Sequence, residues 1–159
     1  MGAARTATPI IRRSPPAGRT DMDVVQEHAP GRDWLAIISR PTVEEFGRAF
    51  SEAPVLEASV LADPIIGAPG IRAFFRATRA MYDRISFTAE HRASSRTWLE
   101  WRGEYRGLPL AGVTTLITGT DGAIASVRIF HMPLDQLIAF AADVQRRLAA
   151  SDQGDIPCR

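Results

Sequence analysis

The chain has 159 residues, 45% hydrophobic and 23% charged, which suits one domain able to bury a core. All 19 basic residues are arginine, and lysine and asparagine are both absent; this excludes Schiff-base lysines, a phosphate-loop lysine, N-glycosylation and any catalytic Asn. The lone Cys158 excludes an intrachain disulfide and Cys-rich zinc sites. The formal charge of +1 divides into +4 over residues 1–20 and −3 over the remainder, without the dense basic stripe of a nucleic-acid binder.

Residues 1–23, rich in Pro, Gly, Ala, Thr and Arg, read as a disordered tail. Alternatives for this segment are a natural start at Met22 or a basic arm touching membrane or RNA. Arg12-Arg13 is not followed by the apolar stretch of an export signal, and no run reaches membrane-span length, so a cytoplasmic protein without membrane contact is expected. The domain is expected over residues 24–150, with a second flexible tail at 151–159.

Asp33 is suited to cap a short helix over 34–39, ending before Pro41. Thr42 and Glu45 have capping-box spacing and predict a helix burying Val43, Phe46, Ala49 and Phe50. Residues 55–61 read as a strand, and Asp63-Pro64 with Gly67 as a breaker. Gly70 leads into a helix whose apolar face is Ile71, Phe74, Phe75, Thr78 and Tyr82. From Ile85 the period becomes two, predicting strands at 86–94, 97–106, 110–118 and 124–131. After Pro133 a last helix presents Leu134, Leu137, Ile138, Ala141, Val144 and Leu148. The expected class is α+β, with helices packed on one side of a curved antiparallel sheet.

Strand alternation assigns the faces. Phe87, Ala89, His91 and Ala93, then Leu99 and Trp101, then Ala125, Val127, Ile129 and His131 should point toward the helices. Trp98, Glu100, Arg102 and Glu104 should point outward beside Arg128, forming cross-strand ion pairs. His131 and His91 are thus both expected inside, while His28 precedes the first helix and should be exposed. Three scattered histidines without helical spacing predict no metal site.

Gly67-Ala68-Pro69-Gly70-Ile71-Arg72-Ala73-Phe74-Phe75 and Asp121-Gly122-Ala123-Ile124-Ala125-Ser126-Val127-Arg128, in this order and spacing, resemble the nuclear transport factor 2-like superfamily over about residues 24–149. The SnoaL-like and ketosteroid-isomerase-like branches are nearest. The resemblance implies a cone, in which a bent sheet wraps a long helix around an apolar pocket, and a homodimer formed through the outer sheet face. It does not carry the catalytic residues over. The base, tyrosine and second acid of the isomerases fall on Ala58, Trp34 and Thr114, and the last-strand aspartate of the cyclases and epoxide hydrolases falls on Ile129.

The residues left for chemistry are few. His131 is the leading candidate, as a general base or as a partner for a ligand carbonyl; the alternative is a histidine bonded to backbone beside Pro133. Asp63 becomes a base if a gap is allowed, although Asp before Pro is first a turn signal. Glu100 becomes a buried base if the strand parity slips by one. Trp34 and Tyr82 are candidate donors to a ligand oxygen, Trp101 a flat wall, and His91, Thr114 and Ile129 further ligand contacts. The expected protein binds a small apolar oxygenated molecule, as a cofactor-free isomerase, cyclase or hydratase or as a non-catalytic binding or dimeric accessory module.

Overall fold

Alternating side chains from Arg84 onward fold as the expected meander: β3 (Arg84–Ala93), β4 (Arg96–Tyr105), β5 (Leu108–Thr118) and β6 (Ile124–Met132). This computed structural model describes residues 29–40 and 42–150. The expectations for the tails, Met22, residues 24–28 with His28, Pro41 and Cys158 lie outside the described residues. β1 (Phe50–Ala58) joins the meander by parallel pairing with β6, and the short β2 (Ile65–Ile66) closes one edge. The sheet order is β2-β1-β6-β5-β4-β3. With α1 (Arg32–Ile38), α2 (Val43–Gly47), α3 (Ala68–Arg79) and α4 (Leu134–Ala150), the result is a curved, mainly antiparallel sheet with helices packed on it, the α+β cone expected.

The helices anchor by aromatic burial. Trp34 of α1, Phe46 of α2, Ile71, Phe74 and Phe75 of α3, and Phe140 of α4 are all buried, each contributing about 2 kcal/mol. The edge of Trp34 meets the face of Phe75 with centroids 5.1 Å apart, and Phe46 stacks on Phe50 at 4.8 Å. Thr42 caps α2 as its sequence predicts, accepting the Glu45 N–H and donating to the Glu45 carboxylate.

Five sequence expectations are corrected. Phe50 belongs to β1 and not to the preceding helix, because α2 is barely more than one turn and Phe50 pairs with Ile124. Asp33 lies inside the first turn of α1, whose N-cap is Gly31. Gly31 has φ +69°, donates its N–H to Glu90 at 2.9 Å, and leaves no room for a side chain against Phe87. In β3 a bulge between Phe87 and Ala89 reverses the alternation. Glu90 is therefore drawn in toward α1, and His91 is exposed. In α4 Leu134 and Ile138 are exposed, and the buried face is Phe140, Ala141, Val144 and Leu148. Finally, the outer-face ion pairs that form are Arg84–Glu104 and Arg128–Glu57, in which Arg84 and Glu57 take the places expected for Arg102 and Glu100.

The register of the meander aligns inward side chains in rows. One row runs Phe87, Trp101, Gly112, His131 across β3 to β6. The next runs Leu99, Thr114, Ile129, Ala58 from β4 to β1. Gly112 is the gap in the first row: an added Cβ would come within 2.1 Å of the Phe130 carbonyl oxygen and 2.3 Å of the Trp101 ring. Gly112→Ala should therefore cost about 1–3 kcal/mol by overpacking, measured by urea unfolding. Gly47→Ala, where nothing lies within 4 Å, should show no such loss.

Candidate ligand site

His131 ends β6 on the concave face, and both of its ring nitrogens are engaged. Nδ1 lies 3.1 Å from Ser59 Oγ, and Nε2 lies 3.1 Å from the Tyr82 hydroxyl. Ser59 also accepts the His131 backbone N–H at 3.1 Å. Ser59 is held there by the parallel pairing of β1 and β6, since its own N–H donates to the Ile129 carbonyl at 2.9 Å. Tyr82 follows the end of α3, and the next residue, Asp83, is tied to β4 through the Glu104 carbonyl. Three separate elements thus converge on one imidazole.

Aromatic rings enclose this chain of hydrogen bonds. Trp101 meets the His131 ring edge-on at 5.2 Å, and Phe140 of α4 lies 5.5 Å from it and 5.1 Å from Tyr82. Phe140 is held by Tyr105, whose ring is 5.1 Å away and whose hydroxyl donates to the Asp143 carboxylate. Burial among these rings penalises charge. It lowers the His131 pKa to about 4 and raises that of the Tyr82 phenol, so both groups are neutral at neutral pH.

The concave space is small. Trp34, Phe75, Phe87, Tyr82, Trp101, Thr114, Ile129 and His131 wall a cavity of about 40 Å³, room for two or three waters at about 10–15 Å³ each. It shares Ile38, Phe75 and Arg79 with a vestibule of about 370 Å³ between α1 and α3, also lined by Ser39, Arg40 and Arg76. On the far side of His131, Ser59 faces an open apolar groove of about 800 Å³ between β1, β6 and α4, where Leu134 and Ile138 stand exposed. Ile129 lines both cavity and groove, and the hydrogen bonds of His131 run from Tyr82 at the cavity to Ser59 at the groove.

Trp34, Tyr82, Trp101, Thr114, Ile129 and His131, six of the sequence candidates, meet around the cavity. Three do not. Asp63 is exposed in the turn before β2, Glu100 is exposed on the outer face because the β4 parity does not slip, and His91 is turned out by the β3 bulge. His131 is bonded to side chains on both sides, where the bland expectation had it bonded to backbone. Ser59 and Phe140 escaped sequence reading. Phe140 had a signal, since 137, 140, 141, 144 and 148 form a better helical stripe than the one starting at 134. Ser59 had none, because only the pairing with β6, some seventy residues on, places it. Among the described residues no group of three or more His, Cys, Asp or Glu is placed to hold a metal, and no helix is long and apolar enough to cross a membrane.

No family model and no curated protein matches this chain. Solved structures do. A steroid delta-isomerase from Pseudomonas aeruginosa superposes with TM-score 0.67 at 19% identity, over 74% of this chain and 88% of its own. A conserved bacterial protein with a cystatin-like fold from Silicibacter pomeroyi gives 0.69 at 12% identity, over 79% and 90%. A protein with a ketosteroid isomerase-like fold from Catenulispora acidiphila, solved in complex with trimethylamine, gives 0.52 at 19% identity, over 69% and 88%. At these identities the likeness is one of fold alone, a curved sheet with helices packed on it of the ketosteroid isomerase-like kind.

The buried imidazole makes a pH prediction. Above about pH 6.5 His131 is neutral folded and unfolded. As pH falls, the unfolded chain takes the proton first, so stability drops between about 6.5 and the folded value of about 4, then levels. The loss should approach roughly 3 kcal/mol. Chemical denaturation at a series of pH values should show this slope, and His131→Gln should lack it.

Proposed function

We propose that the protein binds a compact apolar molecule in the cone, through an oxygen on the ligand, and acts on it by acid–base chemistry without a cofactor. One observation carries this reading: Ser59, His131 and Tyr82 form a continuous hydrogen-bonded chain that ends at the cavity wall. We take the tautomer in which the Ser59 hydroxyl accepts the His131 backbone N–H and donates its own proton to Nδ1. Nε2 then carries the ring proton and donates to Tyr82, whose O–H is left to donate to a ligand oxygen. Donors aligned in this way polarise one another, and in a dry site they stabilise charge developing on a carbonyl or enol oxygen. Isomerisation, cyclisation and hydration all develop such charge. The neutral imidazole passes a proton on and does not store one, and Ser59 gives the chain an exit to the open groove.

A second reading, a binding module without turnover, draws on a separate fact: no carboxylate lines the cavity. Under either reading a second copy would cover the outer sheet face, where Phe130 and Met132 stand exposed. Acetone, a small ketone close in size to the few waters the cavity holds, is a suitable first probe, followed by saturation-transfer NMR. Tyr82→Phe, which removes one oxygen from the chain, should weaken its binding about three- to tenfold, the worth of one neutral hydrogen bond. Equal binding by Tyr82→Phe and wild type, with equal turnover of any substrate captured from cell extract, would overturn the proposal.

A further inference from the structure

We infer that the entrance to the cone selects a negatively charged ligand, so that the molecule bound there is a compact apolar organic anion. The inference rests on the proposal that the cone is the ligand seat, and adds the chemical class of the ligand. Its basis is the vestibule between α1 and α3. Three of the seven residues lining that space are arginines, Arg40, Arg76 and Arg79, and none is acidic. They come from two elements: Arg40 follows α1, and Arg76 and Arg79 lie in the last turn of α3.

The partners of these arginines decide the matter. Arg40 gives one N–H to the Glu45 carbonyl at 3.1 Å. Arg76 and Arg79 make no hydrogen bond or ion pair among the described residues. Arg48, Arg84, Arg92, Arg106, Arg128 and Arg146 each pair with a carboxylate, whereas Arg32, Arg72, Arg96, Arg102 and Arg147 pair with none among the described residues; what sets the vestibule apart is that three such arginines share one concavity without an acid. A helix end does favour basic side chains in its last turn, which accounts for two of the three. It does not account for Arg40, or for Arg79 lining the aromatic cavity as well as the vestibule.

The shape fits an amphipathic acid. The wide vestibule of about 370 Å³ has charge around it, and the cavity of about 40 Å³ below it is walled by rings. A planar guanidinium matches a carboxylate with two parallel N–H donors, and binds it more strongly than it binds a neutral oxygen. The anionic end of the ligand therefore stays with the arginines, while its apolar end lies against Ile38 and Phe75 at the cavity side of the vestibule.

Phenylacetate and phenylacetamide, equal in shape and different in charge, test this. Both are titrated into the full-length protein, following the indole NMR signals of Trp34 and Trp101. Phenylacetate should bind roughly tenfold more tightly than the amide, as charge-assisted contacts exceed neutral ones, and added salt should narrow the gap. The Arg76→Gln/Arg79→Gln variant should abolish the difference between the two probes, whereas Arg102→Gln on the outer face should preserve it. Equal affinities for the two probes, or a preference that survives loss of both arginines, would overturn the anion inference and leave the cone as ligand seat. Failure of both probes to perturb either indole would overturn that seat, and the inference with it.

Discussion

An imidazole buried among aromatic rings has to be neutral and has to have both nitrogens satisfied, and His131 meets this requirement only through Ser59 and Tyr82. The requirement links the end of β1, the end of α3 and the end of β6 at one point. Much of the architecture supports it. Gly112 leaves the space that Trp101 and His131 fill, Phe140 seals the ring cluster from α4, and Tyr105 with Asp143 fixes that helix in place. A contact that joins three elements in this way holds the cone together and also shapes its chemistry.

Much of this was legible in the residues. Period-two alternation from Ile85 gave four strands within two residues of their observed bounds, and Thr42 with Glu45 announced a helix start that the capping bonds reproduce. The inward placing of Trp101, Ile129 and His131 followed from the same alternation, and Thr114 was marked by the resemblance instead. What escaped was of two kinds. A bulge adds one residue to a strand without any marker in composition, and that single residue exchanged Glu90 for His91 on the inner face. Long-range pairing hides likewise: nothing near Ser59 indicates that it meets a histidine 72 residues later. The tightness of the cavity was also out of reach, because a list of aromatic residues does not say which of them fill the space they line.

The departures from known catalytic patterns have a structural counterpart. Trp34, Thr114 and Ile129 stand where the resemblance had suggested a phenol and two acids, and all three line the cavity as apolar or weakly polar wall. The polar groups in that wall include the Tyr82 hydroxyl, the His131 imidazole and the Arg79 guanidinium, none of them at a position those catalytic patterns mark. A cone without a carboxylate is a weak acceptor of protons and a good donor of hydrogen bonds. That balance favours ligands already carrying negative charge or an electron-rich oxygen, and it agrees with an entrance lined by arginine.

The parallel pairing of β1 with β6 also governs the order of events during folding. The meander from β3 to β6 closes by short turns and can assemble as soon as it is made, whereas β1 must wait for a partner that lies far along the chain. A nascent chain would therefore carry the β6-facing edge of β1 and Ser59 unpaired until residue 131 had left the ribosome. The hydrogen-bonded cluster around His131 is among the last parts of the molecule to form, and partly made chains have no closed cone.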